Sequence, residues 1–126
     1  MSQPTVAVIG ASADRRKFGN KAVRAFAACG YRVFPIHPTA PEIEGHSAYR
    51  SVVDVPVERL DRVSLYLPPQ IGIAVLDEIA RKAVAELWVN PGAESDALLE
   101  KAERLGLNTI FACSIVGLGM SPSEFE

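Results

Sequence analysis

Short runs without a polar residue alternate along this chain with longer stretches in which apolar residues recur every three or four positions. The first run, Val6–Ile9, is uninterrupted, as in a parallel strand covered on both faces. Gly10 follows and marks a tight turn. From Phe18 the period lengthens. Phe18, Ala22, Val23, Phe26 and Ala27 share one face of a helix that runs to about Cys29, where Gly30 caps it with Tyr31 as the apolar residue beyond. Arg32–Ile36 reads as a second strand, although Pro35 fits a strand end better than a centre, and His37-Pro38 turns the chain away. Residues 39–60 are irregular, punctuated by Pro41, Gly45 and Pro56, with a helical turn predicted over Ala48–Val53. Asp61–Leu67 is a third strand, ended by Pro68-Pro69. Pro69 and Gln70 open a helix in which Ile71, Val75, Leu76, Ile79 and Ala83 keep helical spacing to about Val84. Glu86–Val89 is a fourth strand, closed by Asn90-Pro91-Gly92. Ser95 caps a helix over Asp96–Leu105, with Leu98, Ala102 and Leu105 inward. Gly106-Leu107 repeats the Gly30-Tyr31 ending, and Asn108–Ala112 is a fifth strand. The tail from Cys113 receives no element.

This alternation predicts the α/β class: a Rossmann-like, doubly wound, five-stranded parallel sheet with helices on both faces, in the order 3-2-1-4-5. Ligands of such sheets bind beyond the carboxyl ends of the strands, where strand order reverses. The five ends are Gly10-Ala11-Ser12, His37-Pro38, Leu67-Pro68-Pro69, Asn90-Pro91-Gly92 and Cys113-Ser114. The helix opening after the first turn directs free N–H groups and the positive end of its dipole at that edge, a place that suits a phosphate. Arg15, Arg16 and Lys17 stand beside it.

The totals narrow the function classes. A chain of 126 residues reads as one domain, residues 1–126, and buries a core without staples. The net charge of −2 argues against a nucleic-acid partner, which would need a basic face. No apolar run approaches the ~20 residues of a membrane span. Met1-Ser2-Gln3-Pro4 runs straight into a strand without a signal peptide, so a cytoplasmic location is expected. Cys29 and Cys113 form no metal-ligand spacing and read as thiols.

A dinucleotide site normally carries Gly-x-Gly-x-x-Gly in the first turn and an acid at the end of strand two. Here the turn is Gly10-Ala11-Ser12-Ala13-Asp14-Arg15, with the next glycine at Gly19, so the second and third glycine roles look missing. Strand two ends in Ile36-His37-Pro38. Both departures weaken NAD, whereas the basic loop leaves NADP open.

The ordered set Ile9-Gly10-Ala11-Ser12, Phe18-Gly19, Gly30-Tyr31-Arg32-Val33-Phe34-Pro35-Ile36-His37-Pro38, Ile43-Glu44-Gly45, Tyr49-Arg50-Ser51, Leu67-Pro68-Pro69 and Trp88-Val89-Asn90-Pro91-Gly92 resembles the small stand-alone CoA-binding proteins. These are similar to the N-terminal CoA-binding domain of the succinyl-CoA synthetase alpha subunit. The resemblance covers about residues 5–113 and rests on the whole set. It implies a Rossmann-like domain holding CoA or an acyl-CoA on the strand ends. Gly10 and Ser12, with Ala11 between them, would meet phosphate oxygens. Lys17 or Arg16, with Arg15 on the same loop and Phe18-Gly19 at the helix start, would face a phosphate. His37-Pro38 and Leu67-Pro68-Pro69 would flank the adenosine, and Asn90-Pro91-Gly92 would border the pantetheine. The family's usual Asn-Pro after strand two is His37-Pro38 here, and the tail Ser114–Glu126 departs from the pattern, so nothing is carried over there.

No catalytic constellation emerges. The residues offer no Ser-His-acid set, no metal cluster and no carboxylate pair on the ligand edge, and Glu94 is the one acid placed near the thiol end. The expectation is a CoA-binding protein, not an enzyme, with a small-molecule ligand, no membrane partner and a homodimer as one assembly open to it. Two alternatives stand beside it: an NADP-binding oxidoreductase domain needing a partner chain, and an interaction module without a ligand. Phe18, Phe26 and Phe34 read as core, Cys29 as buried filler and Trp88 as a core or interface residue. His46 reads as surface, and His37 as a rim residue or a ligand contact. Cys113, at a strand's carboxyl end, reads as structural, with a mixed disulfide to the CoA thiol as the sharper alternative.

Overall fold

A computed structural model describes residues 3–126; Met1 and Ser2, which belong to the opening stretch read above as lacking a signal peptide, lie outside the described residues. The elements are β1 (Thr5–Ile9), α1 (Phe18–Ala28), β2 (Arg32–Ile36), β3 (Glu42–Ile43), β4 (His46–Ser47), β5 (Arg59–Leu65), α2 (Pro69–Arg81), β6 (Ala83–Val89), α3 (Asp96–Arg104), β7 (Thr109–Phe111) and α4 (Ser114–Gly117). Two 3₁₀ turns, Val52–Asp54 and Pro122–Phe125, complete them. Among the described residues no helix is long and apolar enough to cross a membrane.

The five-stranded parallel sheet is as expected, but its order is β2-β1-β5-β6-β7, so the third long strand lies on the far side of β1 rather than outside β2. Pro35 supplies the physical reason. It sits opposite Val8 of β1, and its carbonyl faces outward to accept from Tyr49 N at 2.9 Å. A proline there has no N–H for a further strand, so β2 is confined to an edge. Tyr49 caps that edge with one bridge to Ile36, its carbonyl accepting from His37 N at 2.9 Å. The chain then returns to pair β5 with β1, from Val6 opposite Arg62 to Ile9 opposite Leu65. Strand order therefore reverses between β1 and β5, which opens the crevice between their carboxyl ends.

Helices cover both faces. α2, α3 and the Val52–Asp54 turn pack on Ala7, Ile9, Phe34, Val63, Leu65, Leu87 and Val89. α1 and α4 pack on Val6, Val8 and Val33 of the opposite face through Val23, Phe26 and Ile115. Period-2 alternation along each strand separates these two cores. The buried face of α1 is Ala22, Val23, Ala25 and Phe26, so two residues expected on it are not there. Ala27 is exposed, a step around the helix from Phe26. Phe18 is 53 % exposed because it opens the helix beyond the sheet edge. Cys29 is exposed rather than buried filler: it is the C-cap, past the last buried turn, with its thiol 3.6 Å from Met120 Sδ.

The irregular crossover holds a two-residue hairpin, β3-β4, whose turn Glu44-Gly45 has φ of 51° and 79°, the primed geometry such loops favour. The predicted helical turn contracts to Val52–Asp54, with the Ser51 hydroxyl as cap. β6 starts at Ala83, where the spacing predicted helix, because pairing with β5 already begins at Arg59 opposite Ala83. The tail folds back on α1: Arg24 Nη2 donates to Phe125 O at 2.6 Å.

A buried polar knot ties β5, β6 and α4 together. Asn90 Nδ2 donates to Ser64 Oγ and to Leu65 O, each at 3.0 Å, while its Oδ1 accepts from Ser114 N at 2.7 Å. The Ser64 and Ser114 hydroxyls pair at 2.7 Å. Trp88 is half-buried on the same face, packed against Gly117, under an Arg62 guanidinium 4.8 Å from its ring. Asn90→Ala would strand the buried Ser114 N–H and remove one of the two partners of Ser64 Oγ. Loss of about 2–3 kcal/mol of stability is expected, read as a lower midpoint in urea unfolding; an unchanged midpoint would show that the knot carries no net stability.

Candidate functional site

A groove of about 850 Å³ runs along the carboxyl edge of the sheet, centred on the crevice between β1 and β5. Its floor is the turn after β1. Gly10 adopts φ of 91°, and a Cβ there would lie 3.1 Å from the Tyr66 backbone. Gly19, in the first turn of α1, lies so close to the turn that a methyl group would run into the Gly10 carbonyl oxygen. Gly19 thus supplies the close helix-to-turn approach that a third fingerprint glycine provides; the role read as missing is displaced along a longer loop.

That loop is held from within. Ser12 Oγ accepts from Asp14 N at 3.0 Å. Asn20, fully buried on α1, donates from Nδ2 to Ser12 O at 2.8 Å and to Glu44 Oε2 at 3.1 Å, while its Oδ1 accepts from Arg24 Nε at 2.8 Å. Sequence reasoning passed over Asn20; its signal was a polar residue inside an otherwise apolar helix face. Lys17 is the N-cap of α1 and no side chain caps the helix, which leaves its first N–H groups open toward the groove.

The three adjacent cations separate. Arg16 turns back on Asp14, donating from Nε and Nη2 to the carboxylate at 3.1 Å each. Arg15 pairs with Glu44 at 3.4 Å. Neither lines the groove, whereas Lys17 does. The Arg16 hydrogen bonds hold the Asp14 carboxyl well below its ordinary value of 3.8, at about 2.

Of the other residues singled out from the sequence, Gly10, Ala11, Ser12, Phe18, Gly19, His37 and Pro38 line the groove, as do Leu67, Pro68, Pro91 and Gly92. Pro69 and Asn90 do not; Asn90 belongs to the buried knot. His37 Nδ1 accepts from Thr39 N at 3.1 Å and Ala40 N at 2.9 Å, so its imidazole holds the turn after β2 in the manner of an asparagine side chain. The Glu94 carboxylate is tied to Gly92 N at 2.8 Å.

The groove also takes in residues the sequence reading left out: Ile9, Ile36, Arg50, Tyr66, Ile71 and Val75. Ile71, in the first turn of α2, is 55 % exposed and, like Phe18, gives the groove an exposed apolar wall. The polar end lies at Gly10–Ser12 and Lys17. Tyr66 directly follows β5, its N–H donating to Ile9 O of β1 at 2.9 Å; among the described residues its buried hydroxyl has no hydrogen-bond partner, and burial pushes it up to about 12. The Ser64 and Ser114 hydroxyls pull the other way, though neither reaches hydrogen-bond geometry with the phenol. An anionic turn ligand with an apolar arm fits this arrangement.

Comparison with known proteins places the groove in a family context. The family model described as "CoA binding domain" matches residues 4–118. A curated protein of Archaeoglobus fulgidus, acetate–CoA ligase (ADP-forming) I, is 30 % identical over an alignment of 115 residues that covers 83 % of this chain and 17 % of that protein. A solved conserved hypothetical protein of Pyrococcus furiosus superposes with a TM-score of 0.82 at 32 % identity, covering 90 % of this chain and 98 % of that one. The dinucleotide-forming acetyl-coenzyme A synthetase 1 of Ca. Korarchaeum cryptofilum, solved with phosphate and ADP, gives a TM-score of 0.74 at 28 % identity, over 86 % of this chain and 25 % of that one. The chain thus spans about a sixth of the curated ligase and a quarter of the synthetase.

Two outcomes follow from the loop. Gly19→Ala should cost about 2–3 kcal/mol through the forced separation of α1 from the turn, measured as a lowered unfolding midpoint. Asp14 should titrate near 2 in carboxyl NMR, and Arg16→Ala should return it toward 3.8. Because the folded value lies below the unfolded one, this pair supports the fold above about pH 4 and loses its effect as pH falls toward 2.

Proposed function

The chain belongs to the CoA binding domain family, and from that premise we propose that it binds CoA or an acyl-CoA in the groove at the carboxyl edge of its sheet. The observation that carries the reading is the junction of an uncapped helix N-terminus with a glycine turn, Lys17 beside it and an apolar channel leading away. CoA has the matching chemistry: a diphosphate in the middle, an adenosine at one end and a largely apolar pantetheine arm at the other.

The diphosphate lies over Gly10–Ser12, taking the α1 N–H groups and the Lys17 ammonium. The adenosine rests between the end of β2, at His37 and Pro38, and Leu67 and Val75. The pantetheine follows the Phe18 side toward Pro91 and Gly92. Binding, not catalysis, is the proposed task. The Lys17 ammonium has no carboxylate partner among the described residues and serves as an anion contact. The domain matches only 17 % of the ligase it resembles, so ligation there draws on a far longer chain.

Calorimetric titration with CoA and NADP in parallel tests this. CoA should bind with the heat of a single site and NADP should not compete. Lys17→Ala should weaken CoA by about ten- to a hundred-fold, the loss of one charge-assisted contact. Binding of NADP with no binding of CoA would replace this reading by an oxidoreductase domain, and binding of neither would leave an interaction module.

A further inference from the structure

Arg50 is a cation in the groove that the basic loop does not supply. Its backbone is pinned from both sides. The preceding residue, Tyr49, bridges to Ile36 and exchanges hydrogen bonds with Pro35 and His37, each at 2.9 Å. The following residue, Ser51, donates from its hydroxyl to the Glu78 carboxylate of α2 and caps the Val52–Asp54 turn. Arg50 is thereby fixed at the carboxyl end of β2, next to His37 and Pro38, on the side of the groove walled by α2.

Its charge is free. Among the described residues the ion pairs take up Arg15 with Glu44, Arg16 with Asp14, Arg62 with Glu86 and Lys101 with Asp77; Arg50 is in none of them. Arg50 is exposed and lines the groove, and among the described residues its guanidinium has no protein acceptor. The groove therefore holds two uncommitted cations in different places: Lys17 at the glycine turn and Arg50 at the end of β2.

In open parallel sheets the two positions meet different parts of a nucleotide. The turn and helix N-terminus hold the diphosphate, and the end of the second strand meets the ribose, where an acid reads the free 2′-hydroxyl of NAD and an arginine accommodates the 2′-phosphate of NADP; in CoA the phosphate ester on the ribose is at the neighbouring 3′ position. This chain has no acid at Ile36-His37-Pro38, and the His37 ring nitrogen Nδ1 already accepts two backbone N–H groups. We propose that Arg50 is the specificity-determining residue for a phosphate ester on the ribose, so that the groove selects a 3′-phosphorylated nucleotide over its dephosphorylated form. This rests on the CoA reading above. It moves selectivity away from the Arg15-Arg16-Lys17 run to a residue more than thirty positions further along the chain.

The test is a calorimetric comparison of CoA with dephospho-CoA on the wild-type chain, Arg50→Ala, Arg50→Lys and the control Arg15→Ala, with circular dichroism confirming the fold of each. The wild type should prefer CoA by about ten-fold or more. Arg50→Ala should lose that factor for CoA alone, bringing the two ligands level while dephospho-CoA binds as before. Arg50→Lys should keep part of the preference, a point charge replacing a planar fork, and Arg15→Ala should keep all of it. A wild type that binds both ligands equally overturns the proposal but leaves CoA binding intact, as does a preference that survives in Arg50→Ala. A wild type that binds neither overturns the CoA reading itself.

Discussion

The backbone contact between Gly10 and Gly19 is the constraint on which the site depends. The first turn of α1 rests directly on the carbonyl of the glycine turn, with no room for a methyl group. This closeness aims the helix N-terminus over the end of β1, and it also sets how α1 lies across Val6 and Val8. Every residue between the two glycines must then fit a loop of fixed span. Ser12, Asp14 and Asn20 meet that demand with hydrogen bonds to the loop's own backbone. The β3-β4 hairpin adds an outer clasp, since Glu44 reaches both Asn20 and Arg15 from a left-handed turn.

Polar groups near the groove divide into those that build it and those left free for a ligand. His37 and Ser12 look like ligand contacts in the sequence, yet His37 Nδ1 and Ser12 Oγ each accept local backbone N–H groups. Arg15 and Arg16 are matched with acids on the outer side of the loop. The Tyr66 phenol is neutral across the physiological range and burial raises its pKa further, so it contributes a wall rather than a charge. The groove's free cations are accordingly few, and their spacing sets which part of a polyanion each can reach.

The far wall is steadied by the Asn90 knot. Asn90 ends β6 and bonds simultaneously to β5 and to the start of α4, so the Pro91-Gly92 corner is anchored to a buried residue. α4 in turn is held against Trp88, where Gly117 approaches the outer carbons of the indole's six-membered ring. A buried polar side chain with all its groups satisfied costs little and specifies one geometry, which suits a strand end that must stay in place beside a flexible ligand.

What local pattern alone determined was the five sheet strands and the three longer helices, not the β3-β4 hairpin or α4: the unbroken Val6–Ile9 run, the three helix faces, the Gly30 and Gly106 stops and the Ser95 cap are all short-range physics, and the strand ends they define carry most of the groove. The strand order was written less openly. Pro35 reads as a strand end in the sequence; only the fold shows β2 at the edge of the sheet, where Tyr49 bonds to Pro35 O and His37 N and makes no demand on the missing N–H. The tertiary structure decided which of three consecutive cations meets the groove, because the partners that withdraw Arg15 come from a hairpin some thirty residues away. It also decided that Gly19 closes the turn, that Asn20 pins the loop, and that Arg50, on an irregular segment with no periodicity to locate it, stands at the end of β2. Periodicity reports which face a side chain takes; only the fold reports which charges are already matched when the chain comes together.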